Sequence, residues 1–131
     1  MKKRMIFYFI MFIAVMFSVS CHLISSKTET FTVKDTEKTI YVNLKDSFNV
    51  SLDSNPTTGY SWEILPYNES VIRFAKSKYR PNTDRIGSNG KRIIEFKAFG
   101  KGKTILELFY LRVWKNDKGP INKFKITVVV E

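Results

Sequence analysis

The chain carries one histidine, His22, and one cysteine, Cys21, next to each other near the N-terminus. These residue types make nucleophile–base pairs and soft metal sites, but only when a fold brings them together with partners from elsewhere in the chain. Here both precede everything that reads as a folded domain, which leaves that domain no Ser-His pair, Cys-His pair, disulfide or metal cluster. The carboxylates are scattered, mostly beside lysines, and read as solvated charges; a hydrolase built on two of them is the weakest reading. Gly87-Ser88-Asn89-Gly90 lacks the Lys-Ser/Thr and the helix that a phosphate cradle needs. The chemistry that remains is recognition, so we expect no enzyme, no cofactor and no metal.

Three stretches could supply it. In "SLDSNPTTGYSW", Ser51–Trp62, each residue of the turn has a backbone role. Pro56 fixes its own φ and pushes Asn55 towards an extended conformation. Asn55 can bond the local backbone, and Gly59 permits a positive φ. Thr57 and Thr58 are stiff at χ1, and their hydroxyls, each able to donate and accept, suit a narrow polar cleft. Such a loop has little freedom to lose on binding; taken alone, it is also an ordinary hairpin turn. "YRPNTDRIGSNGK", Tyr79–Lys91, is long for a connection in a compact domain. Its glycines would let backbone approach a partner closely. "RVWKNDKGPIN", Arg112–Asn122, leaves an apolar strand and holds Trp114 beside a polar turn. Trp114 reads either as a core aromatic or as a rigid interface anchor. Arg112, two residues away, would share its strand face, as a surface charge or as a brace for the loop.

The elements that must hold these loops are strands. "TIYVNL" (39–44), "SFNVSL" (47–52), "YSWEIL" (60–65) and "RIIEFKAF" (92–99) alternate apolar and polar residues. Phe48, Val50 and Leu52 fall on one face, as do Ile94, Phe96 and Ala98. "TILELFYLRVW" (104–114) and "KFKITVVV" (123–130) are rich in β-branched and aromatic residues, and "SVIRFAK" (70–76) is a weaker strand. No stretch shows a capped helical stripe. Seven or eight strands in ~100 residues predict an all-β, immunoglobulin-like sandwich, with a small closed barrel as the alternative. Trp62 is expected to pack in the core, and Tyr60 either there or in the loop.

The three loops carry a resemblance. Asn55-Pro56-Thr57-Thr58-Gly59-Tyr60 matches, at every position, the NPTTG-plus-aromatic signature of the chagasin-type inhibitors of papain-like cysteine peptidases. Gly87-Ser88-Asn89-Gly90 is similar to that family's glycine-rich second loop, with Asn89 where glycine is usual. Arg112-Val113-Trp114 resembles its Arg-Pro-Trp third loop, with Val113 in place of proline. The order along the chain also fits, and the resemblance covers nearly all of residues 31–131. It implies an immunoglobulin-like sandwich whose three loops enter the peptidase's active-site cleft and block it reversibly. Thr57 would lie nearest the peptidase's catalytic cysteine and histidine, and the loops around Gly87–Gly90 and Arg112–Trp114 would grip the cleft walls. A papain-like peptidase is the implied partner, with no nucleic acid, and the inhibitor is expected to be a monomer. Asn89 and Val113 are expected to tune affinity or target choice. The competing reading is a secreted or surface adhesion or carbohydrate-binding sandwich.

The N-terminus predicts export. Lys2, Lys3 and Arg4 precede the uncharged "MIFYFIMFIAVMF" (5–17) and the small residues Ser18-Val19-Ser20. Residues 1–21 read as a signal peptide or a membrane- or lipid-targeting segment, 22–30 as a polar tether and 31–131 as the inhibitor domain. Cys21 could accept a lipid, although Ser18 stands where an aliphatic residue is usual. The expected location is the secretory pathway, extracellular or vesicular; a lipid anchor at a bacterial envelope is the alternative. Asn49 and Asn68 lie in glycosylation sequons, meaningful only on a eukaryotic secretory route. Without residues 1–21 the chain keeps 19 of 22 Lys+Arg and all 12 Asp+Glu, a net charge of +7. That charge serves solubility or draws the domain to acidic partners.

Overall fold

A computed structural model describes residues 28–114 and 119–131. The leader, Cys21, His22 and most of the tether lie outside the described residues, as do 115–118 of the third loop. The alternating segments form eight strands: β1 (Glu29–Thr32), β2 (Thr39–Val42), β3 (Ser47–Ser54), β4 (Ser61–Ile64), β5 (Ile72–Pro81), β6 (Gly90–Ala98), β7 (Gly102–Leu111) and β8 (Asn122–Val130). They make two four-stranded sheets, β1-β3-β6-β5 and β2-β8-β7-β4. The architecture is an immunoglobulin-like sandwich; the sheets keep separate edges and do not close into a barrel.

Burial of one face of each strand drives the assembly. Phe48, Val50, Leu52, Ile94, Phe96 and Ala98 point inwards from the first sheet, as their spacing predicts. They meet Leu106, Leu108, Phe124, Ile126 and Val128 from the second. Phe96 is fully buried; it stacks on Phe48 at 5.6 Å between centroids and takes Tyr67 edge-on at 5.8 Å. Trp62 is half-buried against this core.

Several boundaries differ from the sequence reading, two of them by whole segments. β1 starts at Glu29, inside the predicted tether, because Phe31 reaches the core and brings its neighbours into parallel pairing with β3. β5 is ten residues long and takes in Tyr79, Arg80 and Pro81, which the sequence pattern assigns to the loop. As an edge strand it is exposed over most of its length, and a bulge between Phe74 and Lys76 shifts its register, so its alternation is blurred. Pro81 is tolerated because an edge strand has one side free of ladder bonds. Asn49 is half-buried in β3, between Thr30 and Glu95, whereas Asn68 is exposed.

Connectivity decides where the loops fall. β3 and β5 both run antiparallel to β6, so both end where β6 begins. β7 runs antiparallel to β4 and β8 and ends where they begin. The β3–β4, β5–β6 and β7–β8 connections therefore share one end of the sandwich. Phe96→Ala should cost ~3–5 kcal/mol, most of the stability of a domain this small. Urea denaturation measures it, and a loss under ~1 kcal/mol would mean that the aromatic cluster does not hold the sheets.

Candidate functional site

The first loop is a crossover between sheets rather than a hairpin turn. Asn55 caps a 3-10 turn over Pro56–Thr58 with extended backbone (φ −133°), and Gly59 closes it in the left-handed region at φ +78°. The Asn55 side chain organises the turn. Its Oδ1 accepts from the Thr57 N–H (3.2 Å) and from Thr57 Oγ1 (2.6 Å). Its Nδ2 donates to the Gly87 carbonyl (3.2 Å) and to Asn89 Oδ1 (3.0 Å). The Asn55 N–H donates to Tyr110 Oη at 3.0 Å, and Thr58 Oγ1 donates back to the Asn55 carbonyl at 2.7 Å.

Both threonine hydroxyls therefore spend their proton inside the loop. The sequence reading gave each a donor and an acceptor for the partner; the structure leaves lone pairs and methyl groups on the exposed face. A protein that meets this tip must bring the donors.

Asn55 also binds the second loop, which spans Asn82–Asn89 once β5 and β6 take their residues. Asn89 supplies a side-chain oxygen that glycine could not, and its backbone does not enter the left-handed region, which here belongs to Gly87 at φ +82°. The Asn82 N–H donates to the Asn89 carbonyl (3.0 Å), Ser88 Oγ to the Thr83 carbonyl (3.1 Å) and Tyr79 Oη to the Ser88 carbonyl (3.1 Å). Gly90, predicted among the contacts, is buried as the first residue of β6. A Cβ there would meet the Arg80 carbonyl and lie 2.6 Å from Tyr79 Cζ, so Gly90 shapes the base of the loop and offers no surface.

The third loop closes on the first. β7 ends at Leu111, so Arg112 and Trp114 leave the strand and share no strand face. Arg112 Nε donates to the Thr58 carbonyl (3.0 Å), and its guanidinium lies 4.4 Å over the Tyr60 ring. Arg112 is thus a brace. Tyr60 and Trp62 flank Tyr110, with centroids 5.4 and 4.9 Å from its ring. Trp62 Nε1 donates to the Asp53 carbonyl at 2.8 Å. Trp114 is 67% exposed and is no core residue. Its indole lies over Gly59, where a Cβ would stand 2.6 Å from Cζ2.

Asn55, Pro56, Thr57, Thr58, Gly59, Tyr60, Gly87, Ser88, Asn89, Arg112 and Trp114 thus gather at one end, where Asn55, Thr58, Tyr60, Asn89 and Arg112 line an open depression of about 500 Å³. Four residues escaped the sequence reading. Tyr110 and Tyr79 hold the loops through their hydroxyls; alternation marks Tyr110 as inward but says nothing of its polar tip. Ile86 and Ile121 are exposed aliphatics in the second and third loops; an isolated aliphatic in a polar loop was the available signal. No group of His, Cys, Asp or Glu among the described residues could hold a metal. Asp35, whose carboxyl the Thr32 N–H and Lys38 hold below its ordinary range, lies outside these loops.

A sandwich that projects three loops from one end, the first bonded to each of the other two, defines a loop-presenting binding module. The family model for chagasin family peptidase inhibitors (I42) matches residues 41–128, and the chain belongs to that family. It is a peptidase inhibitor and not an enzyme. It is 26% identical over 118 residues to amoebiasin-2 of Entamoeba histolytica, covering 88% of this chain and 96% of that one. It is 24% identical over 93 residues to chagasin of Trypanosoma cruzi, covering 67% and 84%. The crystal structure of the cysteine protease inhibitor EhICP2 from Entamoeba histolytica superposes with a TM-score of 0.72 at 25% identity, over 79% of this chain and 96% of that one. PbICP-C, solved in complex with falcipain-2, shares the fold with a TM-score of 0.58 at 19% identity, over 82% and 93%.

Gly59→Ala combines left-handed strain of ~1–2 kcal/mol with a Cβ inside the Trp114 indole. It should lower the melting temperature by several degrees and weaken inhibition by about tenfold or more. A variant as stable and as inhibitory as the parent would show that the indole does not rest on Gly59.

Proposed function

We propose that the protein is a reversible, tight-binding inhibitor of papain-like cysteine peptidases, and that Asn55–Tyr60, Gly87–Asn89 and Arg112–Trp114 enter the active-site cleft together. The observation that carries this reading is the closed hydrogen-bond system that puts Thr57 at an exposed tip. Family membership and the role of EhICP2 as a cysteine protease inhibitor support it.

The mechanism is occlusion. Thr57 Oγ1 keeps lone pairs for donors at the cleft floor, where a papain-like peptidase holds its catalytic histidine and backbone N–H groups. No peptide bond needs to be presented for attack. Trp114 and Ile86 offer apolar surface on either side of the tip, and the loops are already bonded to one another, so little ordering entropy is lost on docking. Residues 1–21 are a secretory leader in this reading, which places the inhibitor outside the cytosol as a monomer, with Cys21 and the apolar segment as the means of any membrane attachment.

Titrating the purified protein into a papain-like peptidase with a small fluorogenic substrate should give stoichiometric, reversible loss of activity, with the inhibitor intact on a gel afterwards. Absence of inhibition across several such enzymes at micromolar inhibitor would falsify the proposal. Trp114→Ala should lose ~2 kcal/mol of binding while folding normally, since the residue is exposed. Thr57→Arg should bind far worse than Thr57→Ala, because bulk and charge at the tip block entry whereas the loop's shape survives the smaller change.

A further inference from the structure

The outward face of the first sheet is strongly basic, and the loop site makes no use of it. Cross-strand register fixes which residues share it: Arg73 faces Lys97, Lys76 faces Glu95, Lys78 faces Ile93 and Arg80 faces Lys91. On the other side of β6, Lys91 faces Asp53 and Glu95 faces Asn49. Six cations (Arg73, Lys76, Lys78, Arg80, Lys91 and Lys97) thus share one surface with two carboxylates. The carboxylates are taken: Glu95 pairs with Lys76 at 3.2 Å, and Asp53 with Lys91.

Two features separate this face from ordinary surface charge. Arg73–Lys97 and Arg80–Lys91 set like charges directly opposite, an arrangement that costs stability within a sheet. Lysines on an edge strand discourage strand addition, but Lys91 and Lys97 lie on β6, an interior strand where that protection has no use. The outward face of the second sheet carries three lysines, Lys103, Lys123 and Lys125, against two carboxylates, Glu63 and Glu107. There Lys125 faces Glu107, and Lys123 lies 5.2 Å from the Phe109 ring, while Lys103 faces Val129.

We propose that this face docks a linear anionic polysaccharide lying along β5. Arg73, Lys76, Lys78 and Arg80 form a row of roughly 20 Å along the outward side of β5, broken only by Ala75 at the bulge, so they meet successive anionic groups of an extended chain. A flat membrane fits less well, because the sheet twists by roughly 20–25° per strand and a plane cannot meet β5 and β6 evenly along their length. The row runs from beside the loops at Arg80 away from them to Arg73, so a bound polymer leaves the peptidase-binding end free. The inhibitor would be held on a polyanionic surface with its loops presented. The inference stands independently of which peptidase is inhibited.

The test uses heparin fragments as the probe, with the full protein, by calorimetry and by salt elution from a heparin column. Lys78→Ser/Arg80→Ser/Lys97→Ser should weaken heparin binding by about tenfold or more and elute at lower salt. Lys103→Ser/Lys123→Ser/Lys125→Ser removes the same charge from the other sheet and should change binding by less than about threefold. Both variants should inhibit a peptidase as the parent does. Equal losses in the two variants would reduce the effect to net charge and overturn the proposal. So would tighter binding to phosphatidylserine vesicles than to heparin with the same substitution sensitivity, which would make the face a membrane surface. If the first variant melts early, Lys78→Gln and Lys97→Gln carry the same comparison singly, with a loss of about threefold each expected and no loss overturning it.

Discussion

One side chain ties the binding end together. Both oxygen lone pairs and both N–H groups of the Asn55 amide are engaged, two within its own loop and two on the neighbouring loop. An amide so fully used is a rigid joint, because any movement of the tip breaks bonds in two loops at once. Arg112 extends the joint to the third loop through the Thr58 carbonyl, and Tyr110 pins it to the sheet below. Separate, mobile loops would each lose conformational entropy on entering a cleft; loops already bonded together lose far less. An inhibitor that acts by filling space draws its affinity from that saving.

The rest of the sandwich serves the joint. β3, β5 and β7 all run towards the same end, so three connections that are remote in sequence become neighbours without any long excursion. The aromatic packing of Tyr60, Tyr110 and Trp62 carries rigidity from core to loop. Glycine appears where side chains would collide. Gly59 lies under the Trp114 indole, and Gly90 lies against Tyr79 and the Arg80 carbonyl. The second of these is legible in the sequence as a loop glycine but lies buried within a strand, where it shapes the base of the loop.

Much of this could be read from residue order, for identifiable reasons. Alternation in 47–52 and 92–99 marked the inward faces because both segments lie within a sheet and bury one side. The same rule undersold β5, whose edge position and bulge remove the signal. The turn chemistry of Asn55, Pro56 and Gly59 was local and therefore legible, down to the positive φ. The long-range bonds were not. Nothing in the sequence says that Asn89 reaches Asn55, that Tyr110 caps it, or that Arg112 leaves its strand to hold the Thr58 carbonyl. The sequence marks Asn89 as a departure that tunes affinity or target choice; in the structure it adds a bond between loops. The cationic row on the first sheet was equally hidden, because its members are dispersed in sequence and only register aligns them.

Rigidity before binding is the property on which the inhibitory mechanism rests, and it is measurable without any peptidase. Backbone 15N relaxation of the free protein gives order parameters for the amides of Thr57, Thr58, Gly87 and Asn89. Values near about 0.85, equal to those of the strands, are expected in the parent, with a fall towards about 0.6 in both loops together when Asn55 is replaced by alanine. Values below about 0.6 in the unsubstituted protein, or a loss confined to the first loop in the variant, would contradict a joint that spans them.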